Sequence, residues 1–159
     1  MKKKRIRGYK LLNFAAKLGL IVLLFLPGPG VKAQVSMLTV ISNQNGSPSS
    51  MKFSELRSVF MGEQQRWRGG TKITLALMKT NTPAGKNTSQ LIYGMSSDEL
   101  NKFWLALVFQ GKAQAPNFFN SATELENFVA QNPGAIGIVD QSGANNDIKT
   151  VIVEGKKYL

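Results

Sequence analysis

The sequence contains no cysteine and no histidine. Without cysteine the chain forms no disulfide even in an oxidising compartment, so its stability must come from a packed core. The same two absences remove most zinc sites, thiol nucleophiles and Ser-His-Asp triads. Acidic residues are also few, nine in all, and no two have a spacing that would bring them together in a cleft. We therefore expect no catalytic residues, no metal site and no cofactor.

Long apolar runs are scarce as well, and the clearest one lies near the amino terminus. Residues 18–26 are apolar, follow a basic segment at residues 1–10, and precede small residues that end at Ala33. This is the pattern of a secretory signal peptide, because about ten apolar residues are too few to span a bilayer. The alternative is an uncleaved membrane anchor. Cleavage after Ala33 predicts a periplasmic or secreted domain at residues 34–159, with no stable membrane insertion.

The basic character of the chain belongs mostly to that segment. The whole chain carries a formal charge of +11, but eight of its 20 lysines and arginines and none of its nine acids lie in residues 1–33. The remaining 126 residues carry a net charge of +3 and no basic stripe interleaved with aromatics. A nucleic-acid partner is therefore not expected.

Apolar spacing after residue 33 predicts alternating strands and helices. Two capping boxes, at Ser96 with Glu99 and at Ser121 with Glu124, mark helix starts. A threonine before a proline at residues 82–83 marks a third. The predicted strands are 34–42, 72–78, 135–139 and 147–154, and the predicted helices are 53–62, 82–93, 96–111 and 121–132. This order predicts an α/β fold, a mixed sheet covered by helices, in one domain.

Several motifs occur in one order along this domain. They read LRSVFMGE at residues 56–63, RWRGG at 66–70, FQGK at 109–112 and NPGAIG at 132–137. This set resembles the phosphate-type solute-binding proteins of ABC importers, in particular their short, single-lobe relatives called PBP-like domains. The resemblance implies a single lobe of a periplasmic binding protein type II-like fold. It also implies phosphate or another oxyanion as the ligand, and an ABC permease as a partner.

The segment after the second predicted strand is the best candidate for an anion site. In the resembling family an arginine and a Ser-Gly-Thr motif at a helix start bind phosphate. Here Lys79 stands in place of the arginine and Pro83-Ala84-Gly85 replaces Ser-Gly-Thr. Lysines, hydroxyls and a helix start attract anions, so the predicted site residues are Lys79, Thr80, Thr82, Gly85, Lys86 and Thr88. The alternative is a capped helix with solvated lysines.

Two further groups of residues are weaker candidates. Ser42 and Asn43 follow a predicted strand, where α/β sheets often bind ligands, although an ordinary turn uses the same residues. Trp67 and its flanking arginines suit either an acidic partner or a structural turn over a buried indole. Aromatics at Phe103, Trp104, Phe109, Phe118 and Phe119 are predicted at the core or its edge. The pair 118–119 suits a hydrophobic staple, or alternatively a patch for a partner protein.

Two functions remain open at this point. The first is a solute-binding-like protein of the periplasm that binds phosphate or a related oxyanion weakly. The second is an accessory or interaction module of the cell envelope that uses the same fold without a ligand and contacts an envelope protein. A homodimer is compatible with both.

Overall fold

The computed structural model describes residues 37–140, 143 and 145–159. The predicted signal peptide at residues 1–33 and the start of the first predicted strand lie outside the described residues. The strands are β1 Thr39–Asn43, β2 Ser50–Met51, β3 Thr74–Met78, β4 Asn117–Phe119, β5 Ala135–Val139, β6 Ile148–Thr150 and β7 Ile152–Val153. The helices are α1 Phe53–Phe60, α2 Pro83–Thr88, α3 Ser97–Phe109 and α4 Ala122–Gln131, and a π-helical turn at Ser89–Tyr93 continues α2.

Five strands form the main sheet in the order β4-β3-β5-β1-β6. β3 runs parallel to both β4 and β5, whereas β1 runs antiparallel to β5 and β6. Every residue of β1 and β5 is buried, as expected for central strands covered on both faces. β2 and β7 pair in a separate two-stranded sheet. The predicted mixed α/β sheet is confirmed.

Helix α4 covers the main sheet through a close contact. Leu125 and Val129 of α4 are fully buried, and Leu125 lies over Gly137 of β5. A Cβ atom at Gly137 would stand 2.7 Å from Leu125 Cδ2 and 2.9 Å from the Ala76 carbonyl oxygen. Glycine at this position therefore lets the helix and the neighbouring strand approach β5.

Helix α3 begins at the predicted capping box. Ser96 Oγ accepts from the Glu99 N–H at 3.3 Å, and Glu99 Oε2 accepts from the Ser96 N–H at 2.8 Å. Further along, Phe103 and Trp104 form an edge-to-face cluster with Tyr93, with ring centroids 5.4–6.4 Å apart. Burial in this cluster raises the pKa of the Tyr93 phenol well above its ordinary value.

The capping box makes a testable contribution to acid stability. The Ser96 N–H and hydroxyl lower the pKa of the Glu99 carboxyl, so its charged form stabilises the fold above the unfolded-state pKa. That stabilisation is lost as the pH falls through the lowered pKa. At pH 7 the wild type should have a larger free energy of unfolding in urea than Glu99→Gln, and this difference should be smaller at pH 3. A difference unchanged between the two pH values would contradict this origin.

Three local predictions differ from the structure. Residues 147–154 form two strands rather than one, because β6 pairs with β1 whereas β7 pairs with β2. Phe118 and Phe119 belong to a strand, β4, that was not predicted, and Phe119 packs against Phe128 of α4 with ring centroids 5.1 Å apart. The second capping box is half formed, since Glu124 Oε2 accepts from the Asn120 N–H rather than from that of Ser121. No helix among the described residues is long and apolar enough to cross a membrane.

The predicted position of Phe109 is also wrong. It was expected at the core edge, but it is 82% exposed, and Leu105 and Val108 are 58% and 41% exposed. Leu105 and Phe109 lie on the side of α3 that faces away from the buried Leu100, whereas Val108, four residues after Trp104, lies at the edge of the buried face. Helix α3 is therefore apolar on its outer side as well as on its core side.

Candidate functional site

One edge of the main sheet collects the carboxyl ends of three parallel strands. Because β4, β3 and β5 are parallel neighbours, the residues that follow them lie at the same edge. Lys79 follows β3, Asn120 follows β4 and Asp140 follows β5. The Lys79 N–H donates to the Phe119 carbonyl at 2.9 Å, which ties the end of β3 to the end of β4. Ligands of α/β sheets commonly bind at such an edge.

A tight turn connects β3 to α2 at this edge. Thr82 Oγ1 donates to the Lys79 carbonyl at 2.8 Å and accepts from the Gly85 N–H at 3.1 Å. Gly85 packs against the same carbonyl: a Cβ atom there would lie 2.0 Å from the Lys79 oxygen. Thr82 and Gly85 therefore shape the turn, and the Thr82 hydroxyl is already used within it.

The lysines are the free charges of this turn. Lys79 and Lys86 are exposed, and within the described ranges neither ammonium group has an acidic or hydrogen-bonding partner. Lys86 follows Gly85, whose backbone touches the Lys79 carbonyl, so the two lysines leave the chain at neighbouring points. Two acids lie at the same edge, since Asp140 follows β5 and Glu124 Oε2 accepts from the Asn120 N–H at 3.2 Å. Their negative charges weaken the attraction of the lysines for an anion.

The neighbouring threonines differ in their access to solvent. Thr80 is half-buried and is held against α3, because Ser97 Oγ donates to its carbonyl at 3.0 Å and Asn101 Nδ2 donates to its hydroxyl at 3.3 Å. Thr88 is buried at 2% exposure, and its hydroxyl has no hydrogen-bond partner among the residues that the structure describes. Of the two, only Thr80 is placed to reach a ligand from solvent.

Ser42 and Asn43 lie at the opposite edge of the sheet. β1 is antiparallel to β5, with Ser42 opposite Ile136, so the end of β1 meets the beginning of β5. Asn43 Nδ2 donates to the carbonyls of Val129 and Ala130, each at 2.8 Å, and so caps the end of α4. Ser42 is fully buried. The structure therefore does not bring these two residues together with Lys79.

Residues 66–70 form a structural turn over a buried indole, which is one of the two predicted alternatives for Trp67. The indole is buried, and its Nε1 donates to the Gly134 carbonyl at 2.9 Å. Arg66 Nη1 donates to the Gly70 carbonyl within the same turn. A cavity of about 390 Å³ lies between this turn, the 46–50 loop and α1, and Glu55 and Arg68 both line it. Its lining residues include Gly46, which packs against Thr71 and Gly134 near the start of β5, so it is far from Lys79.

Sequence patterns did not indicate an apolar groove beside the lysine edge. It has a volume of about 240 Å³, and its lining residues are Asn101, Trp104, Leu105, Val108, Ala115 and Phe118. β4 was not predicted as a strand, so nothing in the sequence placed Phe118 beside α3. No group of three or more acidic residues suited to a metal occurs among the described residues.

Comparison with solved structures supplies independent evidence for the fold. The chain is similar to an ABC-type phosphate transport receptor from Vibrio cholerae, with a TM-score of 0.60 and 14% identity over 77% of this chain and 48% of that one. It is also similar to PstS from Borrelia burgdorferi, with a TM-score of 0.55 and 18% identity over 74% and 47%. The third is a phosphate binding protein from Stenotrophomonas maltophilia, with a TM-score of 0.53 and 16% identity over 76% of this chain and 40% of that one.

These similarities confirm the predicted fold class. The chain spans less than half the length of each of these structures, which agrees with a single lobe. No protein-family model matches the chain, and no curated protein matches it. At 14–18% identity the likeness establishes the fold alone.

Proposed function

We propose that this protein binds phosphate or a related oxyanion at the edge where β3 ends, as a solute-binding module of the periplasm. The observation that carries the proposal is a pair of ammonium groups, Lys79 and Lys86, that have no partner in the described part of the chain and lie beside the ends of three parallel strands. The fold similarity to phosphate-binding transport proteins supports the choice of ligand. An ABC permease is then the expected partner.

The lysines supply most of the attraction in this proposal. Helix α2 has only six residues, and two N–H groups of its first turn are already bound to Thr82, so its dipole contributes little. Thr80 adds a hydroxyl, while Thr82 and Gly85 hold the turn. The edge is open to solvent, where salt screens charges, so we expect weak binding that falls as ionic strength rises.

Calorimetric titration of residues 34–159 with inorganic phosphate tests the proposal. Lys79→Ala should weaken binding at least about tenfold, since it removes a charged hydrogen-bond donor. Asp140→Asn should strengthen binding because it removes an opposing charge at the same edge. Lys52→Ala is the matched control: it removes the same charge from an exposed residue between β2 and α1 and should leave binding unchanged.

If no binding heat is measured up to millimolar phosphate at low salt, the proposed function is rejected. The second candidate would then be an interaction module of the envelope, which the exposure of Leu105 and Phe109 favours. Equal losses in Lys79→Ala and Lys52→Ala would also count against the site, because they would show a response to net charge alone.

A further inference from the structure

The apolar groove along α3 opens beside the lysine edge. Asn101 joins the two: its Nδ2 donates to Thr80 Oγ1 at 3.3 Å, and the same side chain lines the groove together with Leu105 and Val108. The other wall is Phe118 of β4. Its neighbour Phe119 accepts from the Lys79 N–H at 2.9 Å. The lysine edge and the groove are therefore parts of one continuous surface.

The groove has the shape and chemistry of a site for an alkyl chain. Its lining is almost wholly apolar, and Asn101 is its one polar member. From Asn101 to Val108 the helix rises about 10 Å, at roughly 1.5 Å per residue. Leu105 and Val108 are 58% and 41% exposed along this length, so an apolar occupant would remove them from water.

The free edge of β4 is poorly suited to binding an added β-strand from a partner. β4 has only three residues, and the residue before it is Pro116, which has no N–H for an added strand. Backbone pairing with an added strand is therefore disfavoured, and a ligand that contacts the side chains of the groove is favoured. A positive charge at one end and an apolar trough leading away from it match a ligand with an anionic head and an apolar tail.

We infer that the ligand of this surface is an amphiphilic anion, a phosphate monoester with an alkyl chain, whose head lies at Lys79 and whose chain lies between α3 and Phe118. This inference rests on the proposed function and narrows it from phosphate alone to a class of organic phosphates. Each methylene that the groove takes from water should raise affinity roughly fourfold.

Titration with a series of probes below their micelle concentrations tests the inference. The series is inorganic phosphate, ethyl phosphate, butyl phosphate and octyl phosphate, with octyl glucoside as a probe of equal chain length and neutral head. Affinity should climb along the phosphates, with octyl phosphate at least about 30-fold tighter than ethyl phosphate. Octyl glucoside should bind at least about tenfold more weakly than octyl phosphate.

Variants separate the two halves of the surface. Leu105→Ser and Val108→Ser should flatten the dependence on chain length while leaving inorganic phosphate unaffected. Leu91→Ser is the matched control, because Leu91 is 46% exposed but does not line the groove. Lys79→Ala should weaken every phosphate and leave octyl glucoside unchanged. All four substituted residues are exposed, so the variants are expected to fold.

The possible failures are distinguishable. Binding of inorganic phosphate without dependence on chain length would overturn the amphiphile and leave the proposed function standing. If affinity still depends on alkyl-chain length in Leu105→Ser, the alkyl chain binds elsewhere, and its assignment to the groove is overturned. Absence of binding by every probe would overturn both. Self-association in sedimentation that is lost in Leu105→Ser would assign the groove to a second copy instead.

Discussion

Gly85→Ala should destabilise the protein by about 3 kcal/mol, the upper range for forcing extra volume into a packed site. In an ordinary helix the same change is favourable by about 1 kcal/mol. The sign reverses here because the new Cβ would lie 2.0 Å from the Lys79 carbonyl oxygen and 2.8 Å from that of Met78. Both atoms belong to the backbone at the end of β3 and cannot rotate away. Urea unfolding followed by circular dichroism measures the effect.

Gly69→Ala is the control for this prediction. Gly69 lies in the turn beside Trp67, and nothing lies within 4 Å of the position that a Cβ would take. We expect a change within about 1 kcal/mol, and in the stabilising direction, because alanine restricts the unfolded chain. A Gly85→Ala variant as stable as Gly69→Ala would show that the turn does not pack as described.

The same contact limits how the family motif could be restored at this site. The resemblance places Ser-Gly-Thr where this chain has Pro83-Ala84-Gly85, so a threonine would stand at position 85. Its Cβ would meet the same carbonyl of Lys79. The phosphate-binding donors of the family therefore cannot be restored by changing those three residues alone. If this protein binds phosphate, the lysine side chains must supply donors that the motif supplies elsewhere.

Trp67→Ala should cost about 4 kcal/mol, within the range for truncating a buried aromatic residue. The indole is only 5% exposed, and its Nε1 joins the 66–70 turn to Gly134, just before β5. Truncation therefore loses packing and also detaches this turn from the sheet. The midpoint of urea unfolding measures the loss, with the remaining Trp104 as the fluorescent reporter.

Trp67→Phe separates the two contributions. Phenylalanine keeps most of the apolar contact but has no donor for the Gly134 carbonyl, so we expect a loss of about 1–2 kcal/mol. The difference between the two variants gives the contribution of packing. A phenylalanine variant as unstable as the alanine variant would contradict this division and assign the whole effect to the hydrogen bond.

Local signals in the sequence predicted the helices well. The capping box at Ser96 and Glu99 places the start of α3 correctly because both of its hydrogen bonds join residues three apart. The threonine before Pro83 caps α2 for the same reason. Such features depend on neighbours along the chain, so they can be read without knowing the fold.

Features set by distant partners could not be predicted in this way. β4 has three residues and exists because β3 provides its hydrogen bonds. The break between β6 and β7 reflects a change of partner from β1 to β2. Phe109 was expected at the core edge, but it lies nine residues after Leu100, on the opposite side of α3, and its ring is 82% exposed.

The candidate site was predicted in part for the same reason. Lys79 follows a strand that the apolar pattern identifies, so its place at a sheet edge was expected. Ser42 and Asn43 also follow a predicted strand, but the direction of β1 within the sheet is not written in its own residues. Because β1 runs antiparallel to β5, they lie at the other edge, and Asn43 caps α4.

The position of β1 has a consequence for how the chain folds. β1 is the earliest strand along the described chain, yet its two neighbours in the sheet, β5 and β6, begin 96 and 109 residues later. Closing such long loops is slow relative to pairing nearby residues. During synthesis β1 therefore cannot pair with either neighbouring strand until residue 135 has left the ribosome. The five-stranded sheet is therefore completed only after nearly the whole polypeptide has been made.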